Sequence, residues 1–179
     1  MLKHKKDITI HNIFTSPSHN YFTRDKFDIG NAPSIEHKSI ELKRERGLKD
    51  DRFEFSKYPV TFFSLEVAED VCSSLELELD LKLFRRNIIV SGINLNSLIG
   101  QRFKIGDIEF EGITHCAPCT WMNAVMKKGA YAKMRGRGGL RAKVINGGLL
   151  TCESATLESE TSLNENPLKA LDKPTLPKI

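Results

Sequence analysis

Nine consecutive residues carry the sharpest chemical signal in the chain: His115-Cys116-Ala117-Pro118-Cys119-Thr120-Trp121-Met122-Asn123. Strand-like sequence precedes them from Ile108 to Ile113, and a helix-compatible stretch runs from Thr120 to Met126. A thiol at such a junction feels the positive end of the helix dipole, and nearby cations add to it. Both effects favour the thiolate, the form that attacks electrophiles and binds metals. Thr120 is placed to cap the helix, its hydroxyl close to whatever the cysteine holds. Four readings of the cysteine pair fit these residues. Cys116 and Cys119 can be small reduced core residues. They can join His115 in a zinc site, although no second closely spaced pair exists. C-x-P-C can be a thioredoxin-like dithiol, which wants a βαβ setting that the surrounding sequence does not supply. Or a single thiolate can ligate a soft metal beside an anion held by cations.

Cations are close by in sequence. Between Glu111 and Glu153 there is no acidic residue, yet Lys127, Lys128, Lys133, Arg135, Arg137, Arg141 and Lys143 give the segment a charge of +7. The whole chain carries only +4, so the remainder is net acidic. Such a stretch is the footprint of a site for phosphate, nucleic acid or an acidic partner, or else a solvated basic face. Arg135-Gly136-Arg137-Gly138-Gly139 suits an anion because glycines let backbone N–H groups approach a ligand closely. As an RGG-type segment it is a single copy, and one Trp and three Tyr leave base-stacking platforms scarce, so nucleic acid is not an expected partner. Gly47-Leu48-Lys49-Asp50-Asp51-Arg52 is a tight polar turn whose arginine can fork onto a phosphate or pair with Asp50 or Asp51. Phe84-Arg85-Arg86-Asn87 puts two arginines and an amide ahead of a buried strand, where long polar side chains usually face solvent.

The elements that must position these residues read as mostly β. Ile8 to Phe14 alternates as a first strand, ended by Ser16-Pro17-Ser18, and residues 16–33 read as a long loop. Ile35 to Leu42 is a moderate strand signal, and Val60 to Phe63 a stronger one. Ser64 then caps a helix with apolar residues at 65, 67, 68, 71 and 75. Ile88-Ile89-Val90 is a short buried strand. Gly106-Asp107 predicts a hairpin between Phe103–Ile105 and Ile108–Phe110, and Asn146-Gly147 predicts another between Arg141–Ile145 and Leu149 onward. Short strands, two hairpins and few helices point to a β-barrel or sandwich with one or two peripheral helices, not a doubly wound sheet.

With 179 residues the chain fits one domain. It can bury about 70% of its unfolded surface, so it needs neither disulfide nor metal for a core. No apolar run approaches the roughly 18 residues that cross a bilayer. The basic Met1–Lys6 leads into Asp7-Ile8-Thr9-Ile10-His11, which is no signal-peptide core. Four cysteines without such a signal are not a disulfide framework. A cytoplasmic protein without a membrane partner is expected. Residues 1–160 read as a single domain and 161–179, where three of the seven prolines fall, as a loose tail.

Taken in order, these pieces resemble the MOSC domain, named for the C-terminal domain of molybdenum cofactor sulfurase. The landmarks are Gly47 to Arg52, Val60-Thr61 leading to Ser64, Arg85-Arg86-Asn87 running into Ile88 to Gly92, Leu98-Ile99-Gly100, Ile105-Gly106, Pro118-Cys119, Arg137-Gly138-Gly139, and Val144 with Gly147-Gly148. The resemblance covers about Ile8 to Leu157 and implies a closed β-barrel with flanking helices. It implies binding of the molybdenum cofactor, a pterin dithiolene bearing a phosphate, with Cys119 as metal or sulfur ligand. Arg85 and Asn87 match residues that hold pterin and phosphate. Arg52, Thr120, Arg137, Gly138 and Gly139 are further candidates at that pocket. Relatives of this kind reduce N-hydroxylated compounds to amines using an external flavin or iron–sulfur electron donor. Sulfurase-type members instead imply sulfur transfer through a persulfide on Cys119, and the family also carries an association with pyridoxal phosphate. Two departures stand out. The separate N-terminal β-barrel of two-domain members is not expected here, and the Gly-Asp near the last strand is replaced by Cys152-Glu153.

Overall fold

Apolar alternation builds the molecule, a computed structural model that describes residues 3–20 and 30–172. Ten strands are found in those residues: β1 (His4–Thr15), β2 (Ile35–His37), β3 (Ser39–Leu42), β4 (Val60–Ser64), β5 (Ile88–Ser91), β6 (Arg102–Ile105), β7 (Ile108–His115), β8 (Leu140–Asn146), β9 (Gly148–Thr151) and β10 (Ser154–Ser159). Three α-helices accompany them: α1 (Leu65–Ser74), α2 (Trp121–Val125) and α3 (Ala130–Met134). Seven strands run β10-β6-β7-β8-β4-β5-β1 and close on themselves through β1–β10, from His4 opposite Ser159 to Thr9 opposite Ser154. Closure removes the free edges that an open sheet exposes. The expected mainly β, closed barrel with a few peripheral helices is what forms. None of the described helices is long and apolar enough to cross a membrane.

β4 shows how the sequence makes two cores. Its residues are buried on both faces, with Phe62 turned into the barrel and Phe63 turned out beneath the helices. Inside, the rings of Phe62, Phe103 and Phe110 meet with centroids 5.3–5.9 Å apart, an edge-and-stack cluster typical of aromatic cores. Outside, Phe63, Phe84, Val67, Val71, Trp121, Met122 and Met134 pack together. β4 and β5 are parallel, so the chain needs a crossover, and α1 supplies it. Ser64 starts that helix by accepting the Val67 N–H on its Oγ.

The β6–β7 hairpin forms around Gly106-Asp107 as expected. The second predicted hairpin does not. β9 leaves β8 and pairs with β3, Ser39 opposite Thr151 through Leu42 opposite Gly148. A tight two-residue turn of the favoured type needs positive φ at both central positions, and neither Asn146 nor Gly147 has it. Gly147 serves a close approach instead, since a Cβ there would lie 2.2 Å from the Leu42 carbonyl oxygen. The segment expected as a loose tail is tied down through Leu171, whose N–H donates to the Gly136 carbonyl; residues 173–179 lie outside the described residues. Of the long loop expected over 16–33, residues 21–29 are likewise outside them.

Candidate functional site

Where β7 ends and β8 begins, the wall opens into a cavity of about 320 Å³, at the small end of the range of small-molecule sites. Four stretches converge on it. The Asp51 turn supplies Arg52 and Phe53; the residues before β5 supply Arg85 and Arg86; the segment after β7 supplies Cys116 to Cys119, Trp121 and Met122; β8 supplies Arg141 beside Thr61 of β4. His19 and Asn20 complete the lining. Strand register sets part of this, because Arg141 sits opposite Thr61 on one side and Thr114 on the other.

Each arginine is held differently. Arg85 staples the long loop to the barrel: its guanidinium donates to the carbonyls of Ala32 and Ser18 and to the hydroxyls of Ser34 and Ser16. Arg86 donates to the carbonyls of Gly138, Phe84 and Cys116, at 3.0, 2.8 and 3.3 Å. Arg52 bonds the Arg85 carbonyl at 2.9 Å and pairs with Asp51 at 3.3 Å, but its Nε is buried without a partner. The Arg141 guanidinium makes no hydrogen bond or ion pair among the described residues; it lies 5.0 Å from the centre of the Phe53 ring, a cation held by an aromatic face. Among the described residues Asp51 is the acid beside these arginines and is spent internally, accepting the N–H groups of Ser16 and Phe53 as well as pairing with Arg52.

The electrostatics follow from that imbalance. Burial, and then the charges of Arg52, Arg85, Arg141 and Arg86, push the His19 imidazole down to about 4, so it is neutral at neutral pH. Burial also lowers Arg52 to about 10, with Asp51 opposing and Arg85 and Arg86 adding to the fall. It remains a cation at neutral pH. An unpartnered Trp121 Nε1 is buried in the same wall. Cys119 is exposed at the rim, whereas Cys116 is buried, its N–H donated to the Gly139 carbonyl.

Of the residues proposed from sequence, Cys119, Arg52 and Arg85 come together at the cavity; Asn87, Thr120, Arg137, Gly138 and Gly139 do not line it. Asn87 is buried and spends its side chain on Thr61 and the Phe14 carbonyl. Thr120 has helical backbone angles and caps nothing, and α2 has only five residues, so a helix dipole contributes little at Cys119. Arg137 turns away to pair with Asp70. Gly138 and Gly139 are packing glycines: a Cβ would lie 2.3 Å from the Cys116 oxygen at the first and 2.1 Å from the Phe62 oxygen at the second. Of the seven cations between 111 and 153 only Arg141 lines the cavity. Arg86, Phe53 and His19 are lining residues that sequence reasoning did not place there, and Arg141 was expected only as one cation of the basic segment. Arg86 was visible beside Arg85, but nothing in the sequence marks His19.

Residues 50–155 match the MOSC domain family, more than half of the chain, and the protein belongs to that family. The family is associated with binding of the molybdenum cofactor. In structure the chain is similar to the YuaD protein of Bacillus subtilis (TM-score 0.72, 12% identity, 90% of this chain and all of that one). It is also similar to YiiM of Escherichia coli (TM-score 0.61, 15% identity, 94% and 76%) and YiiM of Geobacillus stearothermophilus (TM-score 0.62, 12% identity, 84% and 74%). At these identities the likeness is one of fold. No curated protein matches in sequence.

The cavity suits such a cofactor. Among the described residues no three His, Cys, Asp or Glu side chains cluster as a protein-only metal site. A metal here would take one thiolate from the chain and its other ligands from an organic group. The guanidinium groups of Arg52, whose terminal nitrogens make one hydrogen bond each among the described residues, and of Arg141, which lies on the Phe53 ring, suit a phosphate.

Proposed function

We propose that the protein is a molybdenum-cofactor oxidoreductase that reduces N-hydroxylated compounds to amines in the cytoplasm. The observation that carries this reading is one exposed thiol, Cys119, at the rim of a cavity walled by four arginines. The net reaction takes an N-hydroxyl compound, two electrons and two protons to the amine and water. The cofactor supplies the two-electron chemistry when bound, and an external flavin or iron–sulfur protein supplies the electrons.

The chain's own groups do the rest. Cys119 offers a thiolate ligand from a position open to solvent. Arg52 and Arg141 bind and orient the anionic end of the cofactor with guanidinium donors that the described residues do not engage. Trp121, Met122 and Phe53 give the cavity an apolar wall that excludes water from one side. His19, neutral at working pH, can hold or accept a hydrogen bond without adding charge.

Molybdenum per chain, measured on protein from a cofactor-producing host, tests this for wild type beside Cys119→Ser. Metal in the wild type and its loss in the variant support the reading. A metal-free wild type, or equal loading of both, rejects it. The exposure of Cys119 also favours a second reading, a sulfur carrier: wild type would then carry a mass increment of about one sulfur atom on Cys119, with no molybdenum and no turnover with electron donors.

A further inference from the structure

The C-terminal segment does more than end the chain. The Asn94 amide, on a residue only 2% exposed, donates to the carbonyls of Asn166 and Lys169 at 2.7 and 3.0 Å. The Asn96 amide donates to the Lys169 carbonyl and, at 3.0 Å, to the Gly136 carbonyl. Ser97 Oγ accepts the Asn164 N–H. Gly136 is pinned a second time by the Leu171 N–H at 2.9 Å. Its φ of +76° and the lack of a Cβ let the segment lie against it, because a Cβ would stand 2.9 Å from the Leu171 oxygen. Two residues on, Gly138 lies on the Cys116 and Pro118 backbone, and its carbonyl holds Arg86. Gly139 then accepts the Cys116 N–H at 2.6 Å.

We propose that residues 164–171 are a strap that positions the cysteine loop, by clamping Gly136 so that Gly138 and Gly139 fix Cys116 to Cys119 beside Arg86. The segment read from sequence as a tail is thereby part of the site's support. The strap's backbone bonds Asn94, Asn96, Ser97 and Gly136, none of which lines the cavity, so its members are positioning residues. The proposal rests on the functional reading only in taking Cys119 as the working thiol.

Thiol protection tests it on full-length protein without cofactor. Iodoacetamide labelling, read by peptide mass spectrometry, follows Cys116 under the loop and Cys72 in the α1 core, which are 2% and 3% exposed. Asn94→Ala/Asn96→Ala removes the four hydrogen bonds that these amides donate, and Cys116 should label faster by about tenfold or more, a change in local opening that one or two of them already suffice to produce. Cys72 should stay protected. Leu171→Pro removes a single N–H and should move Cys116 the same way; it serves should the double variant fail to fold. Unchanged Cys116 labelling, or Cys116 and Cys72 rising together as in global unfolding, overturns the strap. Because no metal is involved, failure of the cofactor reading leaves this result untouched, and the reverse holds.

Discussion

Asn87→Ala should unfold the protein more readily while removing no side chain that lines the cavity, although its partner Thr61 does line it. The side chain makes three bonds: Oδ1 accepts the Thr61 N–H at 3.1 Å and the Thr61 hydroxyl at 2.8 Å, and Nδ2 donates to the Phe14 carbonyl at 3.1 Å. Three bonds at about 1 kcal/mol each give about 3 kcal/mol. Thr61 and Phe14 are only 1% and 5% exposed, so their abandoned N–H and C=O meet little water and the cost rises toward about 5 kcal/mol. That is a large share of the roughly 5–15 kcal/mol that holds a domain together. At about 2–4 °C per kcal/mol for this length, the melting point should fall by about 10 °C or more. Urea unfolding followed by circular dichroism measures it, with the midpoint moving and the slope unchanged. Thr61→Val should couple to it by about 1 kcal/mol or more in a double-mutant cycle, since the two residues share a bond. A loss under about 1 kcal/mol in the cofactor-free protein, the usual size for a surface polar residue, would refute the argument and return Asn87 to the ligand-holding role implied by resemblance.

Two further outcomes follow from the electrostatics. His19 should titrate near pH 4 by NMR, and Arg141→Gln should raise that midpoint by removing one of the cations that depress it. In the unfolded chain histidine titrates near 6.5. As pH falls from about 6.5 to 4 the unfolded state takes up the proton first, so the folded state loses stability across that window and not above it; a wild-type midpoint near 6 would contradict the cationic wall. Arg137→Ala should cost about 1 kcal/mol or less, because its pair with Asp70 is partly exposed at 15% and 37%. It should leave molybdenum content unchanged, and a loss of metal would put Arg137 back at the site.

What the sequence made legible is what local chemistry decides. The β6–β7 hairpin, β4 with its serine-capped helix and the buried β5 are all set by neighbours in the chain: alternation, a turn pair, a cap. The failures are tertiary. Asn146-Gly147 has the composition of a turn, yet its backbone is shaped by Leu42, a residue more than a hundred positions away that takes up the room a Cβ would need. The tail is polar and proline-bearing, but Asn94 and Asn96 supply amides for its carbonyls, and an isolated asparagine in sequence does not reveal what it will bind.

The site shows the same division more sharply. Charge counting placed the cations between residues 127 and 143 beside Cys119, since those are its neighbours in sequence. A cationic head group points where acceptors are, and the Arg137 guanidinium finds Asp70 while the Lys127 ammonium finds the Leu75 carbonyl, neither of them lining the cavity. The positive wall is assembled instead from Arg52, Arg85 and Arg86, brought in by the Asp51 turn and by the residues leading into β5, with Arg141 added by its register opposite Thr61. Nor are these four equivalent. Arg85 and Arg86 spend their donors on protein oxygens and fix the loops, contributing field but few free bonds. Among the described residues, Arg52 uses its two terminal nitrogens once each and Arg141 meets only the Phe53 ring, so both have donors that these residues do not engage. For the proposed cofactor, the number of unengaged donors therefore counts for more than the number of cations. That distinction requires the hydrogen-bond partners of each guanidinium, which composition and spacing do not contain.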